Sequence, residues 1–168
     1  MVPLLFPLLL AACSSCSGLT NVAFTSPDGP PGLRSRLYAA SAEETRQAVL
    51  ETIAGFERWK IVSQDACCRY AGEGAARRAQ WKAWPEGPLP GEVGALHVEI
   101  TTQFLRFVDD MTIFLAPEGR KTTRLDVHSA SRVGKGDFGV NERNILRLLG
   151  ALDARLPASP AEQPGSAP

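Results

Sequence analysis

The stretch Leu96-His97-Val98-Glu99-Ile100-Thr101-Thr102-Gln103-Phe104 decides the fold, because apolar and polar side chains alternate along it. Leu96, Val98, Ile100, Thr102 and Phe104 share one face, and His97, Glu99, Thr101 and Gln103 share the other, which predicts a strand with one face buried and one wet. Met111, Ile113 and Leu115 repeat the pattern, Pro117-Glu118-Gly119 reads as a turn, and Leu125, Val127 and Ser129 form another strand with Arg124, Asp126 and His128 opposite. Links this short join antiparallel neighbours, so these strands make a meander.

Working outward, Ser41-Ala42-Glu43-Glu44 has the spacing of a capping box, and Val49, Ile53 and Phe56 follow at helical intervals, predicting a helix to about Gly55. Trp59, Ile61 and Ser63 alternate with Lys60, Val62 and Gln64 as a further strand. Beyond the meander, Gly134-Lys135-Gly136-Asp137 turns the chain into a last helix from Val140 to Leu156, with Ile145, Leu148, Leu149 and Leu152 as its apolar stripe. The predicted fold is α+β: an antiparallel sheet of about four strands, an N-terminal and a C-terminal helix packed on its apolar face, and the other face partly open.

This domain occupies residues 37–156. Residues 13–36, rich in Ser, Gly and Pro, read as a flexible tether, and residues 157–168 as a disordered tail. Residues 67–92 hold Trp81 and Trp84 before a Pro and Gly-rich run and read as a long excursion, which either covers the core or lids a cavity for a hydrophobic ligand.

The whole chain has 168 residues, enough for one domain with tails. Eighteen basic residues balance eighteen acidic ones, so no net charge draws it to nucleic acid, and no nucleic-acid partner is expected. No cofactor is expected either.

Residues 1–12 (MVPLLFPLLLAA) are apolar, too short to span a bilayer and of the length of a secretory core, and they read as a signal peptide. Leu10-Ala11-Ala12-Cys13 resembles the bacterial lipobox, which implies lipid attachment at Cys13 and a mature chain starting there. Ser14 follows, where an Asp would resemble the signal for inner-membrane retention, so the resemblance implies the periplasmic face of the outer membrane. The expected partners are the membrane, through this anchor, and an unknown envelope protein or lipid. Of the remaining Cys16, Cys67 and Cys68, vicinal Cys67 and Cys68 would close a strained ring; either one pairs with Cys16, or no bridge forms.

Phe107-Val108-Asp109-Asp110, followed by Asp126 to Asn141 (DVHSASRVGKGDFGVN), resembles the signature of domain-of-unknown-function family 1499. His128 stands where that pattern has Arg, and Gly136 where it has Ser. The resemblance covers about residues 95 to 155 and implies no activity.

The candidate binding or structural cluster is Asp109, Asp110, Asp126, His128, Ser129, Ser131, Arg132, Asp137 and Asn141. Asp137 precedes the last helix, where a carboxylate accepts first-turn amides, and Asn141 sits one turn later for the same task. Arg132 presents a planar fork, with Asp109 or Asp110 as its natural partner. Two readings follow: a hydrogen-bonded corner that locks the last helix to the sheet, or an anion site formed by Arg132 and helix amides. His97, Glu99, Asp126 and His128 share a polar face and would suit zinc, except that one strand separates the pairs by about 10 Å. Asp109 and Asp110 point to opposite faces, and His128 points away from Ser129 and Ser131, an arrangement that disfavours a hydrolase. The sequence therefore favours a non-catalytic lipoprotein over a hydrophobic-ligand carrier and a metal-dependent hydrolase.

Overall fold

The computed structural model describes residues 21–64, 94–103, 105–134 and 136–159. Its elements are β1 (Val22–Phe24), β2 (Arg36–Tyr38), α1 (Ala42–Ala54), β3 (Trp59–Ser63), β4 (Gly94–Thr101), β5 (Val108–Gly119), β6 (Thr122–Ser131) and α2 (Val140–Asp153). The expected signal peptide over residues 1–12, Cys13, Cys16, Cys67, Cys68, Trp81, Trp84 and residues 160–168 lie outside the described residues.

The strands form one α+β sheet in the order β1-β6-β5-β4-β3, every named pair antiparallel, with β2 also on β6. The sheet has six strands rather than about four, because β1 and β2 lie end to end on the outer edge of β6. Val22–Phe24 faces His128–Ala130, and Arg36–Tyr38 faces Thr123–Leu125. The tether expected over residues 13–36 is therefore corrected from residue 21 onward. The Gly and Pro-rich link between β1 and β2 is itself a closed turn, with Ser26 N donating to Leu33 O and Ser35 N to Ser26 O, both at 3.1 Å. The tail expectation is corrected too at its start, since Ser159 N donates to Leu37 O at 2.7 Å and Ala39 N to Pro157 O at 2.8 Å.

Local chemistry sets the helix ends. Ser41 Oγ accepts from Glu44 N at 3.3 Å, while Ser41 Oγ and Ser41 N donate to Glu44 Oε2 at 2.7 and 2.8 Å, and these last two bonds, the hydroxyl's first, hold the Glu44 carboxyl below its ordinary pKa. The strands run longer than the alternation alone marks. The β5–β6 turn falls at Arg120-Lys121, beyond the expected Pro117-Glu118-Gly119, with a register irregularity between Pro117 and Gly119 absorbing the offset.

The core lies between the helices and one sheet face. Val49 and Ile53 of α1 and Ile145, Leu148, Leu149 and Leu152 of α2 pack on Leu96, Val98, Ile100, Met111, Ile113, Leu115, Leu125 and Val127. Burying each such side chain stabilises the fold by about 1.5–3 kcal/mol. Arg36 and Tyr38 share this face, and the Tyr38 hydroxyl donates to Asp153 Oδ1 of α2 at 2.8 Å. The second face, expected to be wet, is buried at Ala95, His97, Phe114, Ala116, Asp126, His128 and Ala130. Apolar Ala95, Phe114, Ala116 and Ala130 interleave with its polar groups, so this face is apolar enough to leave water.

Candidate functional site

The β6 end meets the α2 start in a corner organised by one buried amide. Asn141 Oδ1 accepts from Ser129 Oγ at 2.6 Å, and its Nδ2 donates to Asn21 O and Ser131 Oγ at 2.9 Å and to Asp137 Oδ2 at 2.6 Å. Asp137 in turn accepts the backbone amides of Gly139 at 2.9 Å and Asn141 at 2.7 Å, complementing the positive end of α2. Gly139 holds φ at 75°, where a side chain is strained, and lets the chain enter the helix directly from the turn. Asn141, expected to cap the helix, instead serves as this hub.

Beside the corner, a pocket of about 550 Å³ opens between the sheet end and α2. Asp109 lies within its lining, 1% exposed, and accepts from Asn144 Nδ2 at 3.4 Å. Burial pushes the Asp109 carboxyl above its ordinary pKa; a hydrogen bond from Ser131 opposes this, and the charges of Asp137 and Asp110 add to it. Trp59 and Ile100 line the interior. Around the mouth stand Leu105 (71% exposed), Phe107 (43%), Val133 (57%) and Phe138 (84%). Arg147, also in the lining, stacks 4.2 Å over the Phe56 ring, which packs edge-on against Trp59.

Backbone strain gathers here. Arg58 (φ 64°), Arg106 (φ 52°) and Phe138 (φ 53°) are the non-glycine residues of positive φ among those described. Arg58 and Phe138 line the pocket, and Arg106 lies between lining residues Leu105 and Phe107. Each such conformation costs roughly 1–2 kcal/mol, and such costs concentrate where a side chain must be aimed for function.

The other candidates lie elsewhere. Arg132 is bonded bidentately to Asp110, at 2.9 and 2.6 Å, and to Glu99 at 2.5 Å. The Asp110 carboxylate is the main reason its guanidinium is held above its ordinary pKa. With Arg132 neutralised and Asp137 on the helix amides, both donors of the supposed anion site are engaged. Asp126 accepts from Thr25 Oγ1 at 3.1 Å and Arg124 Nε at 3.0 Å, and also from Ser35. His97 bonds Thr112 across 3.1 Å, and His128 lies beyond Thr112 on the next strand. Among the described residues, no three His, Cys, Asp or Glu side chains stand where one metal ion would bind. Ser129 and Ser131 face the corner with Asp109, while His128 faces away.

A family model described as protein of unknown function (DUF1499) matches residues 20–152. The chain belongs to the DUF1499 family. Neither a curated protein nor a solved structure matches it. Within this DUF1499 domain the signature residues divide by task. Ser129 and Asn141 build the corner, Arg132 and Asp110 tie the second face, and Asp109, Ser131, Gly134, Asp137 and Phe138 also line the pocket. The match begins at residue 20, ahead of β1, in keeping with β1 and β2 as parts of the domain. Sequence reasoning missed Trp59, Leu105, Val133, Phe138 and Asn144 as site residues. The available signal was the apolar residues in the two loops, Leu105 with Phe107 and Val133 with Phe138, placed where a meander's links face solvent.

Proposed function

We propose that this DUF1499 protein is a non-catalytic envelope lipoprotein, anchored through Cys13 at the periplasmic face of the outer membrane, whose domain binds an envelope component. The pocket carries this reading: its mouth leaves Leu105, Phe107, Val133 and Phe138 exposed around a hydrogen-bonded interior containing Asp109 and Asn144. Apolar surface left in water at a pocket of this size suits an amphipathic small molecule, so a lipid or similar hydrophobic ligand fits better here than a protein partner. A hydrolase has less support, since the serine hydroxyls are committed to Asn141.

The test is native mass spectrometry of the chain purified gently from bacterial envelopes, compared with the denatured chain. A lipid-sized bound mass that is lost in Val133→Glu supports the reading. A bare chain, or a bound mass indifferent to that substitution, overturns the pocket assignment. The mass of the N-terminal peptide independently reads acylation of Cys13.

A further inference from the structure

Six large apolar side chains are exposed among the described residues, and four of them, Leu105, Phe107, Val133 and Phe138, crowd one end of the domain. Leu105 and Phe107 come from the β4–β5 link, and Val133 and Phe138 from the β6–α2 link. Exposed apolar residues normally scatter singly, so their meeting from two separate links marks an interaction surface. Positive φ at Arg106 and Phe138 fixes the backbone that presents them.

Charge at the same end has a bias. Arg58, Arg106, Arg143 and Arg147 are exposed there, against Glu57 and Glu142. Of the other carboxylates at this end, Asp109 and Asp137 are turned inward onto Asn144 and the α2 amides, and Asp110 and Glu99 are engaged by Arg132. Apolar tips flanked by arginines complement an anionic phospholipid surface, with rings and aliphatic chains at headgroup depth and guanidinium groups on phosphate.

Chain connectivity points the same way. Asn21, the first described residue, donates from Nδ2 to Gly134 O at 3.0 Å and accepts Asn141 Nδ2 at its carbonyl, so the chain joins the domain at the pocket's rim. Seven residues separate Cys13 from Asn21, a path of eight Cα-to-Cα steps. They reach at most about 28 Å. The twelve residues of β5 run about 40 Å from this rim to the far turn at Arg120.

We propose that this end of the domain docks on an anionic phospholipid bilayer, with Phe138 and Leu105 foremost, so that the pocket opens toward lipid. The connectivity argument rests on the lipoprotein reading above; the apolar and basic tip stands without it.

A photoreactive benzoylphenylalanine placed at Phe138 of the whole chain, and in a second variant at Arg120, tests this. Each is irradiated with phosphorus-labelled vesicles of phosphatidylethanolamine and phosphatidylglycerol. An acyl anchor on Cys13 contains no phosphorus, so label on the protein reports a phospholipid. Labelling at 138 should exceed that at 120 by about tenfold, the effect of seating one large apolar side chain in lipid. It should fall when Leu105→Ser is added or phosphatidylglycerol is left out. Equal labelling at both positions, no label at 138, or crosslinking from 138 to a protein rather than lipid in isolated envelopes overturns the proposal. Label confined to 138 on a chain whose Cys13 proves unacylated retains the docking surface and removes the anchor.

Discussion

Asp137 Oδ2 accepts two hydrogen bonds from one residue, the Asn141 backbone amide at 2.7 Å and the Asn141 side-chain amide at 2.6 Å. One carboxylate oxygen thus starts α2 and fixes the side chain that ties α2 to β6 and to Asn21. The corner and the pocket are consequently one construction, because Asp137 and Ser131 belong to both.

Asn141→Ala should destabilise the domain by about 2–4 kcal/mol. The substitution removes four side-chain hydrogen bonds at a fully buried position and strands the Ser129 hydroxyl. Urea unfolding should show a lower midpoint with an unchanged slope. A loss under about 1 kcal/mol would mean the corner does not hold α2. Asn141→Asp should be worse, since it sets a new carboxylate against Asp137.

Asp109 sets a pH dependence whose sign follows from its surroundings. Burial raises its pKa above the ordinary 3.8, so the folded chain holds this proton more tightly than the unfolded chain does. Its contribution to stability is therefore largest below 3.8 and is lost as pH rises through the raised value. Asp109→Asn should flatten stability across that window and leave the protein at least as stable as the wild type at pH 7. Thermal melts from pH 3 to pH 8, roughly spanning the carboxylate range, read this out. An unchanged profile would place the dependence on another group.

Phe138 separates stability from binding. Its φ of 53° is strained for a side chain, and the ring stands almost wholly in solvent. Phe138→Gly should cost no stability, or gain up to ~1 kcal/mol, although glycine at an ordinary exposed helical position costs about that much. The same variant should lose the pocket's bound mass and the vesicle contact. A destabilised Phe138→Gly with ligand retained would assign the ring to packing.

The central architecture is legible in the sequence wherever an element is long enough to repeat its period. β4 shows its alternation over Leu96 to Ile100, and α2 shows its stripe from Ile145 to Leu152, with buried faces to match. β1 and β2 are not legible because three residues contain less than two full repeats, and Pro27, Pro30 and Pro31 mask the turn joining them. Asp109 and Asp110 illustrate the limit at the site. Strand alternation places them on opposite faces, and they are there, but only the fold reveals that Asp110 meets Arg132 while Asp109 enters a pocket. Phe138 and Leu105 carry no periodic signal at all, because their position comes from loop conformation rather than from a repeating element.

Thr25 tests whether the chain before residue 37 belongs to the domain. Its buried hydroxyl accepts from Val127 N at 2.8 Å and donates to Asp126 Oδ1 at 3.1 Å, bridging the end of β1 to β6. Thr25→Val keeps the shape and removes both bonds, leaving a buried amide unpaired. It should destabilise the domain by about 2 kcal/mol, whereas a substitution in a tether stays within about 0.5 kcal/mol. A double-mutant cycle with Asp126→Asn should give a coupling of roughly 0.5–3 kcal/mol, because the two side chains share a hydrogen bond in the fold. A neutral Thr25→Val with no coupling would return residues 21–36 to the tether and detach β1 from β6, along with the Asn21 contacts on which the connectivity argument for the membrane-facing end rests.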